Sequence, residues 1–261
     1  MPRGKPGICE LDNLIRNFSN YLNEGGFPEV VLLSNGELKN EILQNYVHVV
    51  LLRDVIERHS VSNEQALRYF TKSLLSLSGR LMSVNKIYQD LKSQGLSVGK
   101  DSLYQYLDYL EESFLIFSVT LFSESIRKQQ THLKKIYSID NGLSRAFMIR
   151  KNSDLGNSFE NQIFLDLRRN RFQIFYYKTK SDHEIDFVVR RGSHPYRAFQ
   201  VSLDPAAGGE ENEIQASKEL LHELGISLEH VHPRNYLQFL VSLTYSPSQN
   251  SHPNRLGEDS L

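Results

Sequence analysis

One acidic residue constrains this chain more than any other. The segment Glu184-Ile-Asp-Phe-Val-Val-Arg190 has the composition of a β-strand, and it places Asp186 between Ile185 and Phe187. A carboxylate in an otherwise apolar strand costs free energy unless it meets a metal, a cation or hydrogen-bond donors. Strand alternation puts Glu184, Asp186 and Val188 on one face and Ile185, Phe187 and Val189 on the other. Any fold that buries this strand must therefore bring something to Asp186. The residue is either a functional ligand or one half of a buried ion pair or hydrogen-bonded strand end.

The surrounding sequence, Gly156 to Ser202, supplies an ordered setting. Ser158 reads as the N-cap of a helix over 159–169 with Ile163, Phe164 and Leu167 inward. Glu160 then falls in its first turn, where an acid also suits the helix dipole. Strands follow at 172–178, 184–190 and 197–203. A helix over 210–224 turns Ile214, Leu220, Leu221 and Leu224 inward, and a short strand is read at 227–231. An acid on a helix, an acid on a strand and a residue pair on the next strand, here Gln200 and Ser202, is the order of a nuclease core.

Upstream, helices are expected over 11–22, 37–59, 62–78, 85–94 and 100–113, from apolar spacing and breakers. Ser62 and Gln65 fit a capping box for the third, Glu24-Gly-Gly-Phe-Pro28 ends the first, and Gly95 follows the fourth. Strand composition marks 81–84, 114–122 and 134–140. Helix, short strand, helix, tight turn, helix and hairpin is the order of a winged helix-turn-helix. Its second helix would present Lys100, Ser102, Tyr104, Gln105 and Tyr109. Its wing, 123–135, would present Arg127, Lys128, Lys134 and Lys135 to phosphates. Asp101, Asp108, Glu111 and Glu112 make the helix itself acidic, which favours packing or protein docking there. DNA is favoured only for the wing. Arg145, Arg150 and Lys151 extend the basic stretch, and a solvated loop is the alternative.

Composition sets the bounds. The chain has 261 residues, 39% hydrophobic and 23% charged, with a net charge of −1. That is a globular balance with no global basic field. Cys9 is the one cysteine, so no internal disulfide can form and a reducing cytoplasm is expected. No apolar run reaches the ~18–20 residues of a membrane span. Gly95-Leu-Ser-Val-Gly-Lys-Asp-Ser102 only imitates a phosphate loop. Three residues, not four, separate the glycines, and Asp101 stands where the metal-binding hydroxyl belongs. No ATP site is expected.

Several motifs fall in a fixed order: Glu24-Gly-Gly-Phe-Pro-Glu-Val30, Arg53-Asp54, Lys135-Ile-Tyr, Asp140-Asn-Gly142, Gly156 with Phe-Glu-Asn161, Tyr176-Tyr-Lys, Glu184-Ile-Asp-Phe-Val-Val189 and Phe199-Gln-Val-Ser202. Over residues 21–224 the chain resembles the C-terminal region of a prokaryotic AAA-superfamily ATPase family. In that family an ATPase domain precedes a winged-helix segment and a domain similar to PD-(D/E)XK restriction endonucleases. The ATPase half is absent here.

The resemblance implies an α/β chain, α+β overall, with a helical winged-helix region followed by a small mixed sheet flanked by helices. Its expected divisions are 1–60, a helical remnant of the link to an ATPase domain; 61–141, the winged helix; 142–231, the nuclease-like domain; and 232–261, a partly disordered tail. Glu160 matches the helix acid and Asp186 the strand acid, the two positions that would hold Mg²⁺. Gln200 stands where the second metal-binding acid belongs, and Ser202 where the lysine belongs. Phosphodiester hydrolysis needs metal-bound carboxylates and a cation, so the expectation is a nuclease fold without hydrolysis and without a cofactor. The expected function is a DNA- or protein-binding module accessory to an AAA-type ATPase system, with DNA, an ATPase chain or a second copy as partners and no membrane. The alternative is a Mg²⁺-dependent nuclease rearranged around Glu160 and Asp186, with Lys178 or Lys180 moved into the lysine's role.

Overall fold

The computed structural model describes residues 8–148, 155–203 and 210–244. The first helices are α1 (Ile8–Glu24), α2 (Pro28–Val31) and α3 (Gly36–Val50). The last runs without a break into a π-helical stretch, Leu51–Glu57, that carries Arg53 and Asp54 on its exposed side. Between α1 and α2, the Gly-Gly turn is pinned from a distance. Gly26 N–H donates to Asp140 Oδ2 at 2.7 Å, and Gly142 N–H donates to Asp140 Oδ1 at 2.7 Å. Gly25 has φ +78°, and a Cβ there would lie 1.9 Å from Asp140 Oδ1, so glycine is required.

Next come α4 (Glu64–Ser76), β1 (Arg80–Met82), α5 (Val84–Ser93), α6 (Lys100–Glu112), β2 (Ile116–Val119), α7 (Ile126–Thr131), β3 (Lys134–Ser138) and α8 (Asn141–Phe147). The N-cap of α4 is Asn63, whose side chain accepts from Ala66 N–H, and not the expected Ser62. The three strands form an antiparallel sheet in the order β1-β3-β2. An aliphatic core joins α3 to α6, with Leu67, Phe70, Leu74, Leu91, Leu103 and Leu107 at its centre and Leu143 of α8 at its edge.

The remaining chain forms α9 (Leu155–Arg169), β4 (Gln173–Lys178), β5 (Glu184–Arg190), β6 (Arg197–Val201), α10 (Glu210–Leu224), β7 (Leu228–Val231) and α11 (Tyr236–Thr244). The sheet order is β4-β5-β6-β7, antiparallel except for the β6–β7 pair, which α10 connects. The fold is thus α+β. One face of this sheet packs on α9, α11 and the first sheet through Phe159, Phe164, Phe187, Phe199, Tyr137 and Phe239. The other face packs on α10 through Ile185, Val188, Ala198, Ala216 and Leu220.

Several expectations change. Ser158 lies inside α9, so Glu160 is in the second turn and not the first. Ile214 and Leu221 of α10 are exposed, because the inward stripe is Ala216 and Leu220. The part of the expected tail at 236–244 is a helix that buries Phe239 and Leu243. Arg150, Lys151, the first seven residues and 245–261 lie outside the described residues.

Candidate functional site

The charge that Asp186 requires comes from Lys135 of β3. Lys135 Nζ lies 2.9 Å from Asp186 Oδ1, 3.0 Å from Glu160 Oε1 and 2.7 Å from Glu184 Oε1. The lysine side chain is 2% exposed, against 12% for Glu160, 9% for Asp186 and 32% for Glu184, so the cluster opens to solvent only at its Glu184 edge. Tyr137, two residues along β3, donates its hydroxyl to Glu160 Oε1 at 2.7 Å and stacks on Phe164. Asp186 Oδ2 accepts from Gln200 Nε2 at 2.8 Å and from Val201 N–H at 2.9 Å.

Local structure explains the convergence. Between the pairs Phe175–Val188 and Tyr177–Ile185, two residue steps on β4 face three on β5. This is a β-bulge at Asp186 and Phe187, the device by which strands re-aim a side chain. Simple alternation predicts Ile185 and Val188 on opposite faces, yet both pack against α10, while Phe187 and Val189 pack on the other side. The bulge absorbs the phase change and keeps Glu184 and Asp186 on the side of β3 and α9. Asn161, the neighbour of Glu160, fixes α9 against β3. Its Oδ1 accepts from Ser138 N–H at 2.9 Å and Ser78 Oγ at 3.0 Å, and its Nδ2 donates to Asn141 Oδ1 at 2.9 Å.

One ammonium cannot neutralise three enclosed carboxylates. Burial, and then the Asp186 charge, push Glu160 up to about 7 despite Lys135 and the Tyr137 hydroxyl. Burial works against the charged form of Lys135, but Tyr137 and the carboxylates of Asp186, Glu160 and Glu184 outweigh it and hold the ammonium well above its ordinary range. Burial also raises the Tyr137 phenol. The cluster is therefore a fixed ammonium, a protonated phenol and, in Glu160, a carboxyl group that takes up a proton near neutrality.

A nuclease-type Mg²⁺ does not fit this donor set. The oxygens of Glu160, Glu184 and Asp186 that would coordinate it already surround an ammonium at 2.7–3.0 Å. The second oxygen of Asp186 is taken by two donors, and Gln200 offers it an N–H and not its carbonyl. Among the described residues, no group of three or more His, Cys, Asp and Glu is arranged to hold a metal ion.

The sequence-derived positions divide cleanly. Glu160, Asp186 and Gln200 meet as expected. Ser202, just past the end of β6, donates its backbone N–H to Val231 of β7. Lys178 pairs with Asp182 and Lys180 is exposed, while the cation recorded beside the three carboxylates is Lys135. Lys135, read as a surface wing residue, is buried and unavailable to a phosphate. Arg127 and Lys128 of α7 are exposed, Lys134 is half-buried, and Lys100 lies over the Tyr88 ring at the start of α6. Sequence reasoning missed Lys135, Glu184 and Tyr137 as members of the site. The signal was present in the demand of Asp186 for a cation and in the alternation that puts Lys135 and Tyr137 on one face.

Residues 15–154, more than half of the chain, match the family described as the domain of unknown function DUF8612, and residues 155–231 match the domain of unknown function DUF4143. The chain belongs to the first of these families, and its C-terminal part carries the second. It is similar to uncharacterized proteins of Methanocaldococcus jannaschii (30% identity over 219 residues, 82% of this chain and 48% of that protein) and Haemophilus influenzae (29% over 174 residues, 67% and 43%). An uncharacterized protein of Mycobacterium tuberculosis matches at 24% over 181 residues, 66% of this chain and 40% of that protein. The chain therefore spans less than half the length of these relatives. No solved structure matches it. Among the described residues, no helix is long and apolar enough to cross a membrane.

Proposed function

We propose that this chain is a non-catalytic DNA- or protein-binding module, accessory to an AAA-type ATPase system, in which a nuclease-like centre has become an internal ion cluster. The observation that carries this reading is Lys135 Nζ within 3.0 Å of Glu160, Glu184 and Asp186, at the point a catalytic cation would need. A buried ammonium in that position fills the space among the carboxylates that a metal ion would take. The element order α9-β4-β5-β6-α10-β7 supports a restriction-endonuclease-like domain, and α4-β1-α5-α6-β2-β3 supports a winged helix. The exposed Arg127 and Lys128 on the wing are the groups suited to phosphates. The ATPase partner is inferred from the ordered motifs, and the greater length of the relatives is compatible with a further domain there. A single cysteine favours a cytoplasmic setting.

The test is calorimetric titration of Mg²⁺ and Mn²⁺, with linear and nicked DNA assayed in the same buffers. The expected outcome is neither metal binding at Glu160 and Asp186 nor cleavage. Metal-dependent cleavage that Asp186→Ala abolishes would sink the reading. It would establish the second one, a Mg²⁺-dependent nuclease in which Lys135 supplies from β3 the lysine absent at Ser202. The one-third exposure of Glu184 is the observation that favours this alternative.

A further inference from the structure

A second concave site lies far from these carboxylates in the fold, between α3, α4 and the end of α8, with a volume of about 410 Å³. Its floor is apolar, formed by Val47, Leu51 and Phe147, and its wall carries His48, Arg68 and Lys72. No acidic residue lines it. Arg68 has one carboxylate partner, Glu64, at 3.4 Å, one turn earlier on α4 and outside the lining. Among the described residues Lys72 and His48 have no carboxylate partner. A cavity of about 440 Å³ beside α1 and α3 is different because it is lined by acids as well as bases, Lys39 pairing with Glu24.

Basic side chains around an apolar floor, with no acid in the lining, are a good arrangement for an amphiphilic anion. Ligand sites combine a mostly apolar lining with a few convergent polar groups, in volumes of roughly 300–1,000 Å³. Arg68 and Lys72 stand one turn apart on α4 and together offer two positive charges. The guanidinium fork suits a tetrahedral oxyanion and the ammonium acts as a point charge. We infer that this cavity binds a small organic phosphate monoester, its dianionic head held by Arg68 and Lys72 beside His48 and its apolar body on Val47, Leu51 and Phe147. This site is independent of the proposed function, since it shares no residue with the Lys135 cluster.

Titration of the full chain with phenyl phosphate and, separately, inorganic phosphate tests the inference. Phenyl phosphate should bind the wild type at least tenfold more tightly than it binds the Arg68→Gln/Lys72→Gln double variant. It should also bind more tightly than inorganic phosphate, which lacks a group for the floor. Both side chains lie at the surface, so the variant should keep the wild-type circular dichroism. If it does not fold, the single charge reversal Lys72→Glu serves the same comparison. Equal affinity of wild type and variant, no heat at millimolar phenyl phosphate, or binding of an acidic peptide where phenyl phosphate fails would overturn it.

Discussion

Lys134 and Lys135 are adjacent residues with opposite fates. Lys134 opens β3, half in solvent, a few residues after the exposed Arg127 and Lys128 of α7. Lys135 is buried against three carboxylates contributed by two other elements, α9 and β5. The surroundings of the two lysines therefore differ in dielectric and not in chemistry. A lysine that reaches solvent is screened and replaceable. The same side chain one residue later is the one cation in an enclosed, acid-rich centre, and its removal strands charge.

This difference can be broken most sharply at Lys135 itself. Lys135→Ala should destabilise the chain by about 3–5 kcal/mol, the cost of leaving buried charge without its partner, whereas Lys134→Ala should change stability by less than about 0.5 kcal/mol. Urea unfolding of the two variants measures both, and equal effects would dissolve the contrast. Adding Glu160→Gln and Asp186→Asn to Lys135→Met should recover much of the loss, because the charges are then removed together.

The next effect is on pH dependence. Glu160 is raised from 4.5 to about 7 in the folded chain, so the fold favours its protonated form. Its stabilising contribution is complete below about pH 4.5 and is lost as pH rises through 7, by up to about 3 kcal/mol at 1.36 kcal/mol per unit. Comparison of wild type with Glu160→Gln between pH 5 and 8 should show this slope in the former and not in the latter. Parallel profiles would mean that Glu160 is ionised throughout. A smaller loss is expected for Tyr137→Phe, about 1–2 kcal/mol, since it removes the hydroxyl donor to Glu160 and little volume.

The smallest stability effect belongs to the basic residues of α7 and the start of β3, where the readout is binding. The triple variant Arg127→Ala/Lys128→Ala/Lys134→Ala should lose less than about 1 kcal/mol of stability. If the wing contacts DNA, the variant should lower the dependence of log K on log salt by about 0.9 for each phosphate contact removed. Fluorescence anisotropy with duplex DNA at several salt concentrations measures it. An unchanged slope would turn the reading toward a protein partner.

Much of this architecture was legible beforehand, for reasons that particular residues make plain. β5 was predicted with its observed bounds because an apolar β-branched and aromatic run has few alternatives. α6 followed from Leu103, Tyr106, Leu107 and Leu110 at helical spacing. The helix over 236–244 was missed because its apolar residues precede a Ser-, Pro- and Asn-rich stretch that dominated the reading. In α10, Ile214 and Leu221 looked like core, but the sheet face they might have covered is taken by the smaller Ala216 and by Leu220. The site was legible in half. Glu160, Asp186 and Gln200 were found from their order, while Lys135 was assigned to the surface because it belongs to a different family region.

The sequence by itself determined that Asp186 needs a metal, a cation or hydrogen-bond donors, since an acid between Ile185 and Phe187 in a buried strand is costly without one of them. It also determined the alternation that sets Lys135 and Tyr137 on one face of β3, and the glycine turn at Gly25. Only the tertiary structure decided which cation answers Asp186. That choice depends on the β5 bulge, on Asn161 clamping α9 to Ser138, and on packing of the first sheet against the second. These are contacts between residues far apart in the chain, and no local pattern encodes the distance between two ends of a contact that folding has yet to form.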